Sequence, residues 1–176
     1  MNKALIVVDM QNDFITGSLK NENADWPAVI DFINEKIDEF HKDENGAVIF
    51  TRDTHFKNYL DTQEGKNLPV EHCLMGTEGW NVTSKLHALE TDTFIDKKQF
   101  GYENWGRYLK NIDEVFIVGT VTSICIVSNA LAIKTWCPNV KVHILEKGCV
   151  DLTKENHDAA MKVMASCQCD IIKDGE

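Results

Sequence analysis

The chain has 176 residues, of which 43% are hydrophobic and 26% are charged, and its formal net charge is -10 at pH 7. We expect residues 1–176 to form a single domain, because this length can bury one good core but is short for two. The acidic balance argues against a nucleic-acid partner, and the longest apolar runs are too short to span a membrane.

The first predicted element is a strand at residues 4–8 that ends in Asp9. Its continuous apolar run is typical of a parallel strand covered on both faces. The run ends in acidic and amide residues rather than at a small-residue cleavage site, so we interpret it as a strand and not as a signal peptide. A cytoplasmic location follows as the default, and the six cysteines are then expected to be free thiols. A polar loop follows at residues 11–24 and carries Phe14.

A long helix is predicted over residues 27–42. Pro27 suits its first turn, and apolar residues recur there at helical spacing. The second strand, residues 47–51, is followed by charged and ionisable side chains that include Asp53 and His55.

Residues 56–79 form a long segment without a periodic pattern. Loops of this length inside a compact domain are usually functional or disordered. This one contains Glu64 and His72, which favours a function. A helix over residues 82–89 and a third strand from residues 93–95 are predicted to follow.

The last third of the chain begins with a short helix predicted near residues 104–110. A buried strand at 115–118 breaks at Gly119, and a helix is expected to start with Thr122 or Ser123 as its N-cap. A fifth strand at residues 140–145, a last helix at 154–165 and a sixth strand at 170–172 complete the pattern.

Strands alternate with helices along the whole chain, which predicts a parallel sheet with helices on both faces and right-handed crossovers. Ligands of such folds bind outside the carboxyl ends of the strands. Five side chains follow predicted strand ends, and the topology is expected to bring them to one edge: Asp9, Asp53, His55, Lys97 and Cys125.

The first candidate group is Asp9, Lys97 and Cys125. A thiol in the first turn of a helix has its thiolate stabilised by unpaired N–H groups, and an adjacent acid and cation can serve a nucleophile. The alternatives are a small buried cysteine without reactivity, a strand-end carboxylate that caps a loop, and a solvated lysine like Lys98.

The second candidate group is Asp53, His55 and His72, with Glu64 as a further member. Residues i and i+2 of an extended segment point the same way, so Asp53 and His55 can share a ligand. One carboxylate and two imidazoles suit Zn²⁺, Fe²⁺ or Mn²⁺ with open positions for substrate or water. The alternative is a polar loop that happens to contain two histidines.

Several motifs in one order resemble the isochorismatase-like cysteine hydrolases, and within them the nicotinamidases. They are ALIVVDMQNDF, TRDTH, LPVEHCLMGTEGW, DKKQF and VGTVTSICIVSNAL. The resemblance covers nearly the whole chain and implies a three-layer α/β/α sandwich with a mostly parallel six-stranded sheet. It also implies a homo-oligomer, a dimer or a tetramer.

The resemblance implies a role for each candidate. Asp9 is expected to be the general base and acid, Lys97 its charge partner and Cys125 the nucleophile. A cis peptide is expected at Thr120–Val121, with the N–H groups of Val121 and Cys125 as the oxyanion hole.

The remaining assignments concern ligands and substrate. Asp53, His55 and His72 match the metal ligands of nicotinamidases, and Glu64 matches a ligand of some relatives. The metal is expected to be Zn²⁺, with Fe²⁺ or Mn²⁺ as alternatives. Phe14 and Tyr102 are expected to contact the substrate. The lysine motif departs from the relatives' Ser-Ala-Phe group and has Phe-Gly-Tyr at residues 100–102, which alters the expected pocket wall.

The activity that the resemblance implies is hydrolysis of nicotinamide to nicotinate and ammonia through a thioester on Cys125. Three alternatives remain. They are a cysteine hydrolase for another small amide or ureido compound, metal–water chemistry with His55 and His72, and a non-catalytic binding subunit. An isochorismatase proper is disfavoured, because a vinyl ether hydrolase needs neither Cys125 nor the metal group.

Overall fold

The computed structural model describes residues 1–173, which form one six-stranded sheet with α-helices on both faces. The strands are β1 (Lys3–Val8), β2 (Gly46–Asp53), β3 (Thr93–Lys97), β4 (Glu114–Thr120), β5 (Lys141–Val150) and β6 (Asp170–Ile172). The α-helices are α1 (Asn12–Ile15), α2 (Trp26–Lys42), α3 (Gln63–Asn67), α4 (Val127–Trp136) and α5 (Lys154–Ser166).

The sheet has the order β3-β2-β1-β4-β5-β6, and every pair of neighbouring strands is parallel. The order reverses direction beside β1, where β2 and β4 flank it. Such a reversal opens a crevice at the carboxyl ends of the strands, where α/β proteins bind ligands. The predicted parallel α/β architecture is therefore confirmed.

Alternate residues of β1 supply two separate cores. Ala4, Ile6 and Val8 belong to the core beneath α4 and α5, whereas Leu5 and Val7 belong to the core beneath α2. Burial on both faces explains why β1 is a continuous apolar run rather than an alternating one.

The turn between β4 and α4 depends on Gly119. This residue has φ +124 and lies beside Val8 in the β1–β4 pairing. Any side chain here would collide with the carbonyl oxygen of Val8. Gly119 thus lets the end of β4 pack closely against β1, which brings the following turn toward Asp9.

Some predicted elements differ from the structure. Residues 82–89 contain no helix, and residues 104–110 contain only a 3-10 turn at Trp105–Arg107. Two short helices, α1 and α3, lie in segments that we predicted to be irregular. Of the helices within residues 1–173, none combines the length and apolarity needed to cross a bilayer.

Candidate active site

The carboxyl edge of the sheet collects the predicted side chains from four strands. Asp9 follows β1, Asp53 and Lys97 end β2 and β3 as direct partners in the register, and Cys125 follows β4. Asp9, Lys97 and Cys125 are all buried. The predicted convergence of residues that are far apart in sequence is therefore present in the structure.

The ammonium group of Lys97 lies at the centre of this cluster. Its Nζ is 2.6 Å from Asp9 Oδ2 and 3.6 Å from Cys125 Sγ. It also donates to the carbonyl oxygen of Gln99 at 3.1 Å and lies 3.5 Å from Asp53 Oδ1. A buried ammonium group needs such partners, because removing an unpaired charge from water costs on the order of several kcal/mol. Lys97, and not the adjacent Lys98, is the lysine that belongs to the cluster.

Thr51 on β2 holds the carboxylate of Asp9 in place. The Thr51 hydroxyl donates to Asp9 Oδ1 at 2.7 Å, while Lys97 contacts the other oxygen. The backbone N–H of Asp9 donates to the carbonyl oxygen of Thr51 at 3.1 Å, and Asp9 adopts φ 50. Both carboxylate oxygens are thereby fixed relative to Cys125.

Burial and neighbouring charge set the protonation of the cluster. Burial raises the pKa of Asp9, against the opposing effect of the Lys97 ammonium. Burial would lower the pKa of Lys97, but Asp9, Cys125 and Asp53 together outweigh this effect, and the pKa lies above its usual range. Burial also raises the pKa of the Cys125 thiol well above its ordinary value, and the carboxylate of Asp9 adds to this effect.

The raised pKa of Cys125 corrects our expectation of a thiolate stabilised by a helix start. The residue lies in a π-helical turn, Thr122–Ile126, that precedes α4. Within residues 1–173 no side chain caps this turn, so neither Thr122 nor Ser123 is an N-cap. The thiol is therefore protonated at rest and needs a base to take its proton.

Asp151 and His157, which follow β5 in the chain, both contact this turn. Asp151 accepts a hydrogen bond from the backbone N–H of Ser123 at 2.7 Å, and the Thr122 hydroxyl lies 3.0 Å from His157 Nδ1. The peptide bond between Thr120 and Val121 is cis, as the resemblance implied. His157 is mostly buried, with its side chain 16% exposed.

The predicted metal group also comes together. One ligand atom from each of Asp53, His55, Glu64 and His72 can be chosen so that all four lie within 4.8 Å of one another. Asp53 Oδ2 is 2.9 Å from His55 Nε2 and 3.5 Å from His72 Nε2. Glu64 Oε1 is 3.5 Å from His55 Nε2 and 3.7 Å from His72 Nε2.

This donor set fits a divalent cation. Two imidazole nitrogens and two carboxylate oxygens converge on one point, as Zn²⁺ and similar ions require. His72 Nδ1 lies 2.8 Å from the carbonyl oxygen of Val70, which directs Nε2 toward the other ligands. Gln11 fixes the backbone of Asp53 by accepting from its N–H and donating to its carbonyl oxygen.

A cavity of about 160 Å³ joins the thiol to the metal group. Its polar lining comes from Asp53, Glu64 and His72, and Cys125 and Val121 also line it. The other lining residues are hydrophobic: Phe14, Leu19, Leu68, Phe100, Ile124 and Leu152. Phe14 thus lies where we expected a substrate contact, and its ring centroid is 5.8 Å from that of His72.

The expected contact of Tyr102 with substrate stays a prediction that the cavity lining does not support. Tyr102 does not line this cavity, and its ring instead packs against Trp105 and Tyr108. The residue that faces the cavity from this segment is Phe100. The sequence does not show which of the two aromatic side chains faces the cavity, because this segment has no periodic pattern that indicates where its side chains point.

Asn129 on α4 is a supporting residue that the sequence did not reveal. Its side chain is fully buried and donates to the carbonyl oxygens of Cys125 at 2.8 Å and Phe100 at 3.2 Å. It also accepts from the N–H of Tyr102 at 3.0 Å and from Trp105 Nε1 at 3.1 Å. One amide therefore ties the nucleophile turn to the segment after Lys97.

Replacing Asn129 with leucine is expected to reduce both stability and catalysis. Four buried polar groups would lose their partner, and we expect the free energy of unfolding to fall by roughly 3 kcal/mol. Urea denaturation measures this loss. Asn34 is a matched control, because among residues 1–173 the side chain of this buried asparagine bonds only to Lys85 and His87. Asn34→Leu should lower stability without lowering kcat, and equal losses of kcat would contradict the role of Asn129.

An α/β/α fold with a thiol, a carboxylate and an ammonium at its carboxyl edge is the arrangement of a cysteine hydrolase. The chain belongs to the isochorismatase family, since the model of the Isochorismatase domain matches residues 3–174.

Characterised relatives resemble the chain over most of its length. A nicotinamidase from Schizosaccharomyces pombe is 24% identical and aligns with 97% of this chain and 93% of its own. A nicotinamidase/pyrazinamidase from Mycobacterium tuberculosis is 28% identical over 70% of this chain and 74% of its own. The pyrazinamidase of Pyrococcus horikoshii, solved in complex with zinc, is 25% identical with a TM-score of 0.85, covering 98% of this chain and 99% of its own.

Proposed function

We propose that the protein is a metal-containing cysteine amidohydrolase that converts nicotinamide and water to nicotinate and ammonia. One observation carries the proposal: Lys97 contacts both Asp9 and Cys125, and the cavity that Cys125 lines is also lined by three of the four candidate metal ligands, Asp53, Glu64 and His72. The nicotinamidase relatives support the substrate class.

The reaction begins with transfer of the Cys125 proton to Asp9. The thiol and this carboxylate contact the same Lys97 ammonium, and the raised pKa of Asp9 makes it a competent proton acceptor. Lys97 remains protonated and stabilises the thiolate that forms, because its pKa lies above the usual range. The thiolate then attacks the carboxamide carbon of the substrate.

Acyl transfer follows in the cavity. We assign the N–H groups of Val121 and Cys125 to the oxyanion of the tetrahedral intermediate, since both residues line the cavity. The carbon–nitrogen bond breaks, and Asp9 returns its proton to the leaving ammonia. Water, activated by the same carboxylate, then hydrolyses the thioester and regenerates Cys125.

Asp53, His55, Glu64 and His72 would hold a divalent cation, with Zn²⁺ as our first choice. A bound ion would supply a Lewis acid for the ring nitrogen of the substrate. Phe14 would pack against the substrate ring on the apolar wall of the cavity.

The direct test is ammonia release from a panel of amides. We expect nicotinamide and pyrazinamide to be hydrolysed faster than benzamide, which lacks a ring nitrogen, and than ureido acids. A lack of ammonia release from any heteroaromatic carboxamide would refute the proposal.

Metal removal is expected to reduce activity strongly. Treatment with a chelator should lower kcat/KM for nicotinamide about 10²-fold, because loss of the ion removes the contact that orients the ring. Added Zn²⁺ should restore the rate, and metal analysis should give one ion per chain. His72→Ala should lower the affinity for Zn²⁺, whereas His87→Ala, which removes a half-exposed histidine paired with Asp38, should not.

The cavity disfavours one alternative, a hydrolase for ureido acids. Among the described residues, no lysine or arginine side chain lines the cavity, so the cavity offers no such cation to pair with the carboxylate of a ureido acid. Metal–water chemistry and a non-catalytic role leave the contacts among Asp9, Lys97 and Cys125 without a purpose. The cytoplasmic location, the dimer or tetramer, and the single domain at 1–176 stay predictions.

A further inference from the structure

The active-site cavity is small for a ligand site. Its volume of about 160 Å³ compares with roughly 300–1,000 Å³ for pockets that take drug-sized ligands. A single six-membered ring with its carboxamide is the size of substrate that such a space accepts. The residues that close the cavity therefore determine how large the substrate can be.

A second pocket of about 570 Å³ lies directly beside this cavity. The two spaces share four lining residues, which form the wall between them: Glu64, Leu68, Phe100 and Ile124. The outer pocket is otherwise lined mainly by polar side chains, among them Gln63, Asn67 and Gln99. It contains space and hydrogen-bonding groups that a one-ring substrate does not reach.

Two of the four shared residues already have another role in the site. Glu64 belongs to the metal group, and Ile124 precedes Cys125 in the nucleophile turn. Leu68 and Phe100 have no polar role, and they are 39% and 47% exposed. Their side chains can therefore be truncated without removing a ligand or a catalytic group.

We propose that Leu68 and Phe100 restrict the substrate to one ring by separating the active-site cavity from the outer pocket. This inference rests on the proposed amidase function and adds the determinant of substrate size. Truncation of either side chain should join the two spaces, so that a second ring attached to the substrate could enter the outer pocket. The reaction is unchanged, because the same carbon–nitrogen bond breaks and ammonia leaves.

The test compares kcat/KM for quinoline-3-carboxamide and 5-phenylnicotinamide with kcat/KM for nicotinamide. Ammonia release reports all three reactions equally. Leu68→Ala and Phe100→Ala should raise the two-ring to one-ring ratio by roughly tenfold or more, as expected when a steric barrier is removed from a pocket. An unchanged ratio in both variants would overturn the proposal.

Leu152 provides a matched control. It lines the active-site cavity and is 51% exposed, but it does not line the outer pocket. Leu152→Ala should widen the mouth of the cavity without joining the two spaces, so the substrate ratio should stay near that of the wild type. A rise equal to that of Leu68→Ala would show that general widening, and not the shared wall, limits substrate size.

Binding separates this inference from the proposed function. Calorimetry with the Cys125→Ala protein measures affinity for the same three compounds without any turnover. If the wild-type protein releases no ammonia, the proposed function fails, and the binding ratios still decide the role of the wall. Phe100→Ala combined with Cys125→Ala should favour the two-ring compounds relative to Cys125→Ala alone, and no such shift would refute the inference.

Discussion

Cys125→Ala is expected to abolish ammonia release from nicotinamide, with a fall in kcat of about 10⁴-fold or more. The substitution removes the atom that forms the thioester, and nothing else in the cluster can replace it. Lys97 loses one neighbour but keeps its contact with Asp9, so the fold should survive. A coupled ammonia assay measures the rate, and circular dichroism confirms the folded state.

Cys149 provides the control for this substitution. Its thiol is also buried, and burial raises its pKa, but within the described part of the chain it bonds only to the backbone carbonyl oxygens of Ile117 and Leu145. Cys149→Ala should retain most of the wild-type kcat. If Cys125→Ala also retained activity, the chemistry would belong to the metal group, with His55 and His72 as the residues to test next.

The sequence predicted the sheet well because its central strands carry a strong pattern. A continuous apolar run such as that of β1 has few alternatives once both faces of a strand are covered. The predicted helix at residues 82–89 was wrong for a related reason. Val82 and Leu86 pack against the core from an irregular segment, and apolar spacing alone does not distinguish that packing from a helix.

The catalytic residues could be located because a parallel sheet brings strand ends together, whatever their separation in sequence. The residues that hold the catalytic side chains in place could not be located in this way. Thr51 lies in the middle of an apolar strand, and Asn129 lies in a helix, so nothing local distinguishes either from an ordinary polar residue. Their importance arises from contacts over long sequence separations, which only the three-dimensional structure reveals.

The raised pKa of Cys125 also could not be predicted from the sequence. We expected the helix start to stabilise a thiolate, but the turn is π-helical and the thiol is buried. Desolvation then outweighs the stabilisation by Lys97 and raises the pKa of the thiol. The nucleophile is therefore generated only when a base accepts its proton, which assigns a larger share of catalysis to Asp9.

Asp9→Asn is accordingly expected to lower kcat/KM for nicotinamide by about 10³-fold, within the range for loss of a general acid–base. The amide has nearly the shape of the carboxylate and can still accept the hydrogen bond from Thr51. It can neither accept the Cys125 proton nor protonate the leaving ammonia. Steady-state kinetics with nicotinamide measure the loss, and thermal denaturation shows whether the variant stays folded.

Thr51→Val is expected to have a smaller effect on kcat/KM than Asp9→Asn. The substitution keeps the carboxylate of Asp9 but removes the hydroxyl that donates to its Oδ1, so the proton acceptor remains but is less firmly positioned. We expect a loss of roughly tenfold in kcat/KM, much smaller than that of Asp9→Asn. If Asp9→Asn were no slower than Thr51→Val, Asp9 would be holding Lys97 in place rather than transferring protons, and another base would have to serve Cys125.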